Sequence, residues 1–552
     1  MTAYSNIASS LQKTAGSFPY KRAVVYPAGR DKDNRVLYSQ LTFRQLDQLS
    51  DRLAFGLSGI GIVRGMRTIL MVPPGMDFFI IIFAMFKLGA VPVVVDPGMG
   101  INRMLQCLQQ GRPKAFIGIE KAHVLRVLKP RYFQNVAHWV TVGRRWFWGG
   151  HTIKHLLTDK RQVFPQARTT TDETAAIAFT TGSTGPAKGV VYTHGNFEAQ
   201  IKQIQAHFTI GPDEIDLPTF PLFALFDPAL GMTAVIPDMD PTQPAKADPK
   251  KIIEAIENHG VTNMFASPAL LNRLGKYGKE NAITLPSLRR VISAGAPVAP
   301  ANIAQFSALV AEDTQIHTPY GATEAVPVIS IGSHEILSET RHMTEKGFGL
   351  CIGRPIDTTL VRIINITDEP ITRFSENLIL PEKQVGEIIV KADLVTQQYF
   401  DNPQADMLAK IPDPEGRAWH RMGDLGWMDS KGRIWFCGRK SHRVITKNET
   451  LFTIPVEAIF NTHEKVYRSA LTGVGPFNHQ IPVVFVEPNC KISHKRQFIA
   501  ELLELARTTP LTADIQHIFI EKNFPVDIRH NAKIFREKLA VTAGKKLDLE
   551  NR

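Results

Sequence analysis

Residues 78–95, FFIIIFAMFKLGAVPVVV, restrict the fold more than any other stretch of the chain. A run this apolar must leave water, into lipid or into a protein core. A membrane span needs about twenty apolar residues. Here the uninterrupted part ends at Lys87, and Gly89 and Pro92 precede a β-branched run. The break predicts a buried helix over MDFFIIIFAMFKLGA and then a buried strand, VPVVV. Their neighbours continue the alternation. MRTILMV (66–72) reads as a strand, and PKAFIGI followed by IEKAHVLRVLK reads as a strand and a helix. LTFRQLDQLSDRLAFGLSGIGI (41–62) has helical periodicity behind Thr42 as its N-cap. Continuous apolar strands alternating with helices predict a parallel sheet covered on both faces.

The pattern returns further on. A helix is expected at KIIEAIENHG (251–260), strands at VTNMFAS and LRRVISAG (288–295), a helix around IAQFSALV and a strand at TQIHTPYG. From about residue 351 the texture changes to short alternating strands, TTLVRIINI, VGEIIVKA and GRIWFCG. Beyond Gly438–Arg439 the remainder reads as a compact α+β unit that contains PVEAIFNTH, SALTGVG, IPVVFVEP, the long helix KRQFIAELLELARTT and the strand IQHIFI. The expected fold class is therefore α/β: a large N-terminal domain with mixed sheets and a β region, then a small α+β C-terminal domain. The expected boundary divides 1–439 from 440–552.

Charged residues make up 21% and apolar ones 44% of the 552, which excludes a disordered chain. The formal net charge of +12 favours nucleic acid, an anionic membrane surface or acidic ligands. Its short clusters, GRRWFWGG (143–150) and SLRRV (287–291), form no long basic arm, so nucleic acid is not the expected partner. Cys107, Cys351, Cys437 and Cys490 match no metal spacing and read as free thiols in a reducing compartment. The start, MTAYSNIASSLQ, lacks the features of a secretory signal. The expected location is cytoplasmic, with no transmembrane segment.

Chemistry concentrates in TTGSTGPAKGVVYTH (180–194). Small residues let backbone N–H groups approach a ligand, and Thr180, Thr181, Ser183 and Thr184 offer hydroxyl donors to phosphate oxygens. Lys188 adds a mobile charge. AAIAF before and GVVYTH after read as strands, so this is a loop between strands. Pro186 and Ala187 separate Gly185 from Lys188, so it is not a Walker A loop. A phosphate grip and a flexible surface turn both remain open on composition alone.

Six motifs in order narrow the choice: FTTGSTGPAKGV (179–190), SAGAPV (293–298), TPYGATEA (318–325), HRMGDLGWMD (420–429), WFCGRK (435–440) and NAKIF (531–535). Together they closely resemble the adenylate-forming superfamily of acyl-CoA synthetases, luciferases and peptide-synthetase adenylation domains, over nearly the whole chain. The resemblance implies ATP and Mg²⁺ as cofactors and a mobile small domain. Thr180, Thr181, Gly182, Ser183, Thr184, Gly185 and Lys188 would grip the β- and γ-phosphates. Ala294, Gly295 and Ala296 would line the adenine and Tyr320 would stack on it, flanked by Gly321. Thr323 would hold the α-phosphate and Glu324 the Mg²⁺. Asp424 would accept from the ribose hydroxyls with Arg439 beside it, and Lys533 would reach the carboxylate and α-phosphate oxygens. Each has a plainer alternative: a core aromatic for Tyr320, a turn cap for Asp424, a solvated lysine for Lys533.

Departures from the family's pattern point to one branch. Ser441, then His442, occupies the usual hinge position, RVITKNETLFTIPVE (443–457) holds no glycine for a thiol tunnel, and Asn448 sits near its expected place. Ala224 stands in TFPLFALFDPALG (219–231) where the family has histidine, among Phe220, Leu222, Phe223, Leu225 and Phe226, which line an alkyl channel or simply fill a core. With VVVDPGMG (93–100) and GRKSHRV, these stretches resemble the bacterial olefin-pathway β-lactone synthetases, often described as fatty-acid CoA ligases. That resemblance implies a long-chain 2-alkyl-3-hydroxy acid substrate, AMP and pyrophosphate release, and ring closure by the substrate's own β-hydroxyl without coenzyme A. It also raises a homodimer, and assembly with olefin-pathway enzymes such as a β-lactone decarboxylase and a short-chain dehydrogenase, as expectations. A fatty acyl-CoA or fatty acyl-AMP ligase is the alternative, and a scaffold that senses adenylate is the non-enzymatic one. His194, His420 and His442 are candidates for the base that activates the hydroxyl, against a structural role for each.

Overall fold

The computed structural model describes residues 4–157, 159, 162–180, 187–220, 224–526 and 533–550. The apolar run forms the helix Met76–Leu88, with every side chain from Phe78 to Leu88 buried, followed by the strand Val91–Val95. Lys87 does not end the buried face. It is 1% exposed, and its ammonium donates to Asp47 Oδ1 at 2.7 Å and Asp51 Oδ1 at 2.6 Å on the helix Phe43–Gly59. Thr42 caps that helix and forms a capping box with Gln45.

These elements belong to a seven-stranded sheet ordered 151–152, 138–142, 115–119, 67–71, 91–95, 174–180, 188–193. Its neighbours are parallel except the last pair, an antiparallel hairpin. A second seven-stranded sheet runs 315–317, 290–293, 263–266, 215–218, 233–235, 22–30, 36–42, parallel apart from its final pair. Both follow the alternation expected from sequence. A third, antiparallel sheet takes up the β texture after 351 and is threaded by the long strand Gly416–Met428. Last comes a three-stranded sheet, 466–474, 481–488 and 517–520, with the helices Thr453–Phe460, Lys495–Ala506 and Arg536–Glu550. The molecule is thus a large N-terminal α/β domain with mixed sheets and a smaller C-terminal α+β domain.

One expected strand is shorter than its sequence suggests. GVVYTH stops pairing at Thr193, whose hydroxyl caps the helix His194–His207 and shares a capping box with Asn196. Among the described residues no helix is long and apolar enough to cross a membrane. All four cysteines are free, and Cys490 alone is exposed.

Candidate functional site

Parallel strands deliver their C-terminal ends to one side of a sheet, and ligands bind there. In the second sheet, Arg290–Ser293 and Gln315–His317 are parallel neighbours. The stretches that leave them, 294–296 and 318–320, therefore emerge side by side. Thr219, where the apolar 219–231 segment begins, leaves the same end and is tied to Phe265 O through its hydroxyl at 2.7 Å. In the first sheet, Thr180 pairs with Lys188 and closes the hydroxyl-rich loop. Thr181, Gly182, Ser183, Thr184 and Gly185 lie outside the described residues.

A turn after Tyr320–Ala322 brings Thr323 and Glu324 to this end. A Cβ on Gly321 would collide with the Ala325 carbonyl oxygen, so glycine lets this hairpin close. Two tyrosines from elsewhere fix the turn. Tyr192 donates to the Thr323 carbonyl, and Tyr399 donates to Glu324 Oε1 at 2.6 Å. Thr396 N donates to the Glu324 carbonyl at 2.9 Å. Lys188 Nζ stands 5.0 Å from the Tyr399 ring centre. Lys410 is buried behind this group and donates to the Thr396 carbonyl. Burial pulls its pKa down to about 8, against the Glu324 and Asp406 charges, which raise it. Glu324, Lys188 and Lys410 thus gather around Tyr399 at one corner.

The second half of the site hangs on Asp424, in the middle of the strand Gly416–Met428 and 3% exposed. Tyr320 donates to its Oδ2 at 2.6 Å, and Arg439, its cross-strand partner, reaches 3.0 Å from Oδ1. Burial raises the Asp424 pKa, opposed by the Arg439 charge, the Tyr320 hydrogen bond and the Lys533 charge. Arg439 is at ion-pair distance but out of hydrogen-bond geometry, so Oδ1 is a buried acceptor without a hydrogen-bond partner among the described residues. An unfilled buried acceptor is costly unless a ligand donor completes it. A ribose hydroxyl supplies such a donor, so the residues present fit a nucleotide. Ala294 is buried, Ala296 half-buried and Gly295 exposed. The charge of Lys533 thus acts on the same carboxyl to which Tyr320 donates.

No group of three or more His, Cys, Asp or Glu side chains among the described residues makes a resident metal cage. A single carboxylate, Glu324, near Lys188 suits Mg²⁺ carried by ATP, which keeps waters and phosphate oxygens as its other ligands.

The apolar segment is mostly packing. Ala224 and Leu225 are buried in the main core, while Phe220 and Phe226 are half-buried; Leu222 and Phe223 lie outside the described residues. His194 accepts from Ile7 N at 3.2 Å and packs on Phe86, and burial lowers its pKa to about 4. His420 is buried against the Ala409 carbonyl and depressed well below its usual value by burial and by Lys410. Burial lowers His442 to about 3, with Arg536 and Arg439 pushing the same way. Sequence reasoning missed Tyr192, Tyr399, Thr396 and Lys410; the aromatic in QQYFDNP (397–403) is the one signal that marks any of them.

The sequence model of the AMP-binding enzyme family matches residues 11–400. The chain belongs to this family. It is 47% identical over 550 residues to the olefin β-lactone synthetase of Stenotrophomonas maltophilia (strain K279a), covering 98% of this chain and 99% of that protein. The olefin β-lactone synthetase of Xanthomonas campestris pv. campestris is 46% identical over 552 residues, covering 99% and 98%. Among solved structures, the amide bond synthetase McbA from Marinactinospora thermotolerans superposes with a TM-score of 0.80 over 97% of this chain and 99% of that one. At 19% identity that likeness is one of fold.

Proposed function

We propose that this AMP-binding enzyme is an olefin β-lactone synthetase, converting a long-chain 2-alkyl-3-hydroxyalkanoic acid through an acyl adenylate to a β-lactone, with release of AMP and pyrophosphate. The observation that carries the reading is near-full-length identity of 47% to a protein of that name. ATP and Mg²⁺ are the proposed cofactors, and the proposed domain boundary follows Arg439, where the last strand of the antiparallel sheet ends.

The residues support a division of labour. A carboxylate is a poor acyl donor, and attack of its oxygen on the α-phosphorus of ATP expels pyrophosphate and leaves AMP as a good leaving group. No covalent protein nucleophile is needed; the chain orients reactants and neutralises charge. In this reading the 180–188 hairpin holds the β- and γ-phosphates. Thr323 holds the α-phosphate. Glu324, set by Tyr399, would hold Mg²⁺, which would neutralise phosphate charge. Tyr320 and Ala294–Ala296 flank the adenine, Asp424 and Arg439 hold the ribose, and Lys533 meets the oxygens that carry charge as the anhydride forms. In the second step the β-hydroxyl oxygen attacks the acyl carbon, its proton is released to solvent, the acyl–oxygen bond to AMP breaks and the ring closes. An internal nucleophile needs no second substrate site, and the reactive acyl adenylate supplies the driving force to close a strained four-membered ring. Asn448 sits in an exposed turn without a positive φ, so its backbone does not call for a glycine.

The test is the product of the reaction with ATP and Mg²⁺ alone. A 2-alkyl-3-hydroxy acid is expected to give lactone and AMP without coenzyme A, read by mass spectrometry. The matching acid without the hydroxyl is expected to stop as a bound adenylate and to inhibit the hydroxy acid. Efficient conversion of the deoxy acid to a thioester when coenzyme A is added would overturn the reading in favour of a CoA ligase.

A further inference from the structure

The strands His138–Val142 and His151–Thr152 lie at the edge of the first sheet farthest from the phosphate hairpin. Between them the chain turns outward through GRRWFWGG, residues 143–150. Trp148 is the root of this loop. Its ring lies flat on His123, with centroids 5.3 Å apart and planes at 5°. Its indole N–H donates to Thr141 Oγ1 at 3.1 Å, and its carbonyl accepts from Arg126 at 2.7 Å. Trp146 and Phe147 pack on Trp148 at 5.2 and 5.4 Å and project outward, 52% and 78% exposed. Val127, one helical turn beyond His123, and Leu128 are exposed beside this root. Over 120–150 six lysines and arginines stand against one acidic residue, Glu120, and its carboxylate already accepts from Arg144 N at 2.7 Å. A chain of net charge +12 therefore carries a large share of that excess in one short region, with no motif of the reaction in it.

We propose that this loop is a docking surface for an anionic lipid bilayer, with Trp146 and Phe147 entering the headgroup layer while Arg144 and Arg145 meet lipid phosphates. Large aromatics flanked by arginine are the side chains that favour a membrane–water interface, and basic clusters are drawn to anionic leaflets. The anchored root matters: Trp148 is fixed by three contacts, so the two outer rings are held out instead of folding back. A second copy of the chain fits less well, because a two-fold contact through this loop sets Arg144 and Arg145 against their own counterparts. The surface is independent of the reaction, and its test does not need turnover of the long-chain acid.

The experiment is flotation of the full chain with vesicles of equimolar phosphatidylglycerol and phosphatidylcholine, and with phosphatidylcholine alone. The wild type is expected to float with the anionic vesicles, less at high salt, and to stay behind with the neutral ones. Trp146→Ala/Phe147→Ala and Arg144→Ala/Arg145→Ala are each expected to lower the partition coefficient roughly tenfold or more. Both should leave the thermal transition and adenylation of a water-soluble acid unchanged. Vesicle binding that ignores both double variants would overturn the proposal, as would a wild type that never floats. A loop substitution that turns a dimer into a monomer without changing flotation would assign the patch to self-association instead.

Discussion

One buried carboxyl, Asp424, accepts from Tyr320, pairs with Arg439 and feels the charge of Lys533. In the proposed adenylation Lys533 serves the oxygens that carry charge as the anhydride forms. Its charge is worth most where negative charge builds as the carboxylate attacks phosphorus, and little while ATP merely sits bound. Lys533→Ala is expected to slow single-turnover AMP formation roughly 10²–10³-fold. Nucleotide titration and the thermal transition should be nearly unaffected. A variant that adenylates at the normal rate would leave this lysine a solvated one. The residues that contact the nucleotide in this reading were legible because each belongs to a contiguous motif, such as TPYGATEA. Tyr192 and Tyr399, which hold Thr323 and Glu324, were not. They arrive through the 188–193 strand and the segment laid against it, where Phe400 N donates to Gly189 O at 2.7 Å. Nothing local in the sequence records that crossing.

At the scale of elements, the helix Met76–Leu88 is bound to Phe43–Gly59 by a buried charge cluster as well as by apolar packing. Lys87 and Asp51 are 1% and 5% exposed at their side chains, and removing one partner strands the other in a dry interior. Lys87→Met is expected to destabilise the large domain by about 3–5 kcal/mol. Lys87→Met/Asp51→Leu should recover most of that loss, both read from the urea midpoint of the first unfolding transition. If the single variant is as stable as the wild type, the cluster is not a tie between helices. The apolar run made these two helices legible; the partners of Lys87 were not, since they lie 36 and 40 residues away. Two other elements escaped for different reasons. The strand Gly416–Met428 carries Arg421 and Asp424 into the interior, which defeats a polarity pattern, and Arg421 is neutralised by Glu387 at 2.6 Å from another strand. The helix Pro268–Glu280 contains Gly275 and Gly278, poor helix formers. A Cβ on Gly278 would collide with Leu309, so the glycine is kept for the approach of the following segment.

For the whole molecule, the question is whether the small domain must move between half-reactions. In this structure it is tied to the large one beside the junction: Lys440 donates to the Thr367 carbonyl at 2.8 Å and reaches Glu387 at 3.3 Å, and Arg443 meets Asp368 at 2.7 Å. Gly347 of the large domain also lies against Leu511 and Pro455 of the small one. Within the small domain Arg536, three residues beyond Lys533, is fixed on Glu457 at 2.5 Å, so this arrangement sets the segment that carries the lysine. An external thiol needs a new channel after adenylation. In the proposed reaction an internal hydroxyl arrives on the same substrate as the acyl carbon and needs none. A chain locked as it stands is therefore expected to complete both steps. The lock is a short bis-maleimide bridge between Asp368→Cys and Arg443→Cys, placed in a Cys490→Ser background because Cys490 is the exposed native thiol. Lactone per AMP, measured by mass spectrometry after one turnover, is expected to stay near one to one in the bridged enzyme and its unbridged control. A bridged enzyme that forms the adenylate normally but releases no lactone would show that ring closure requires the small domain to leave, and that proximity of the hydroxyl is not sufficient.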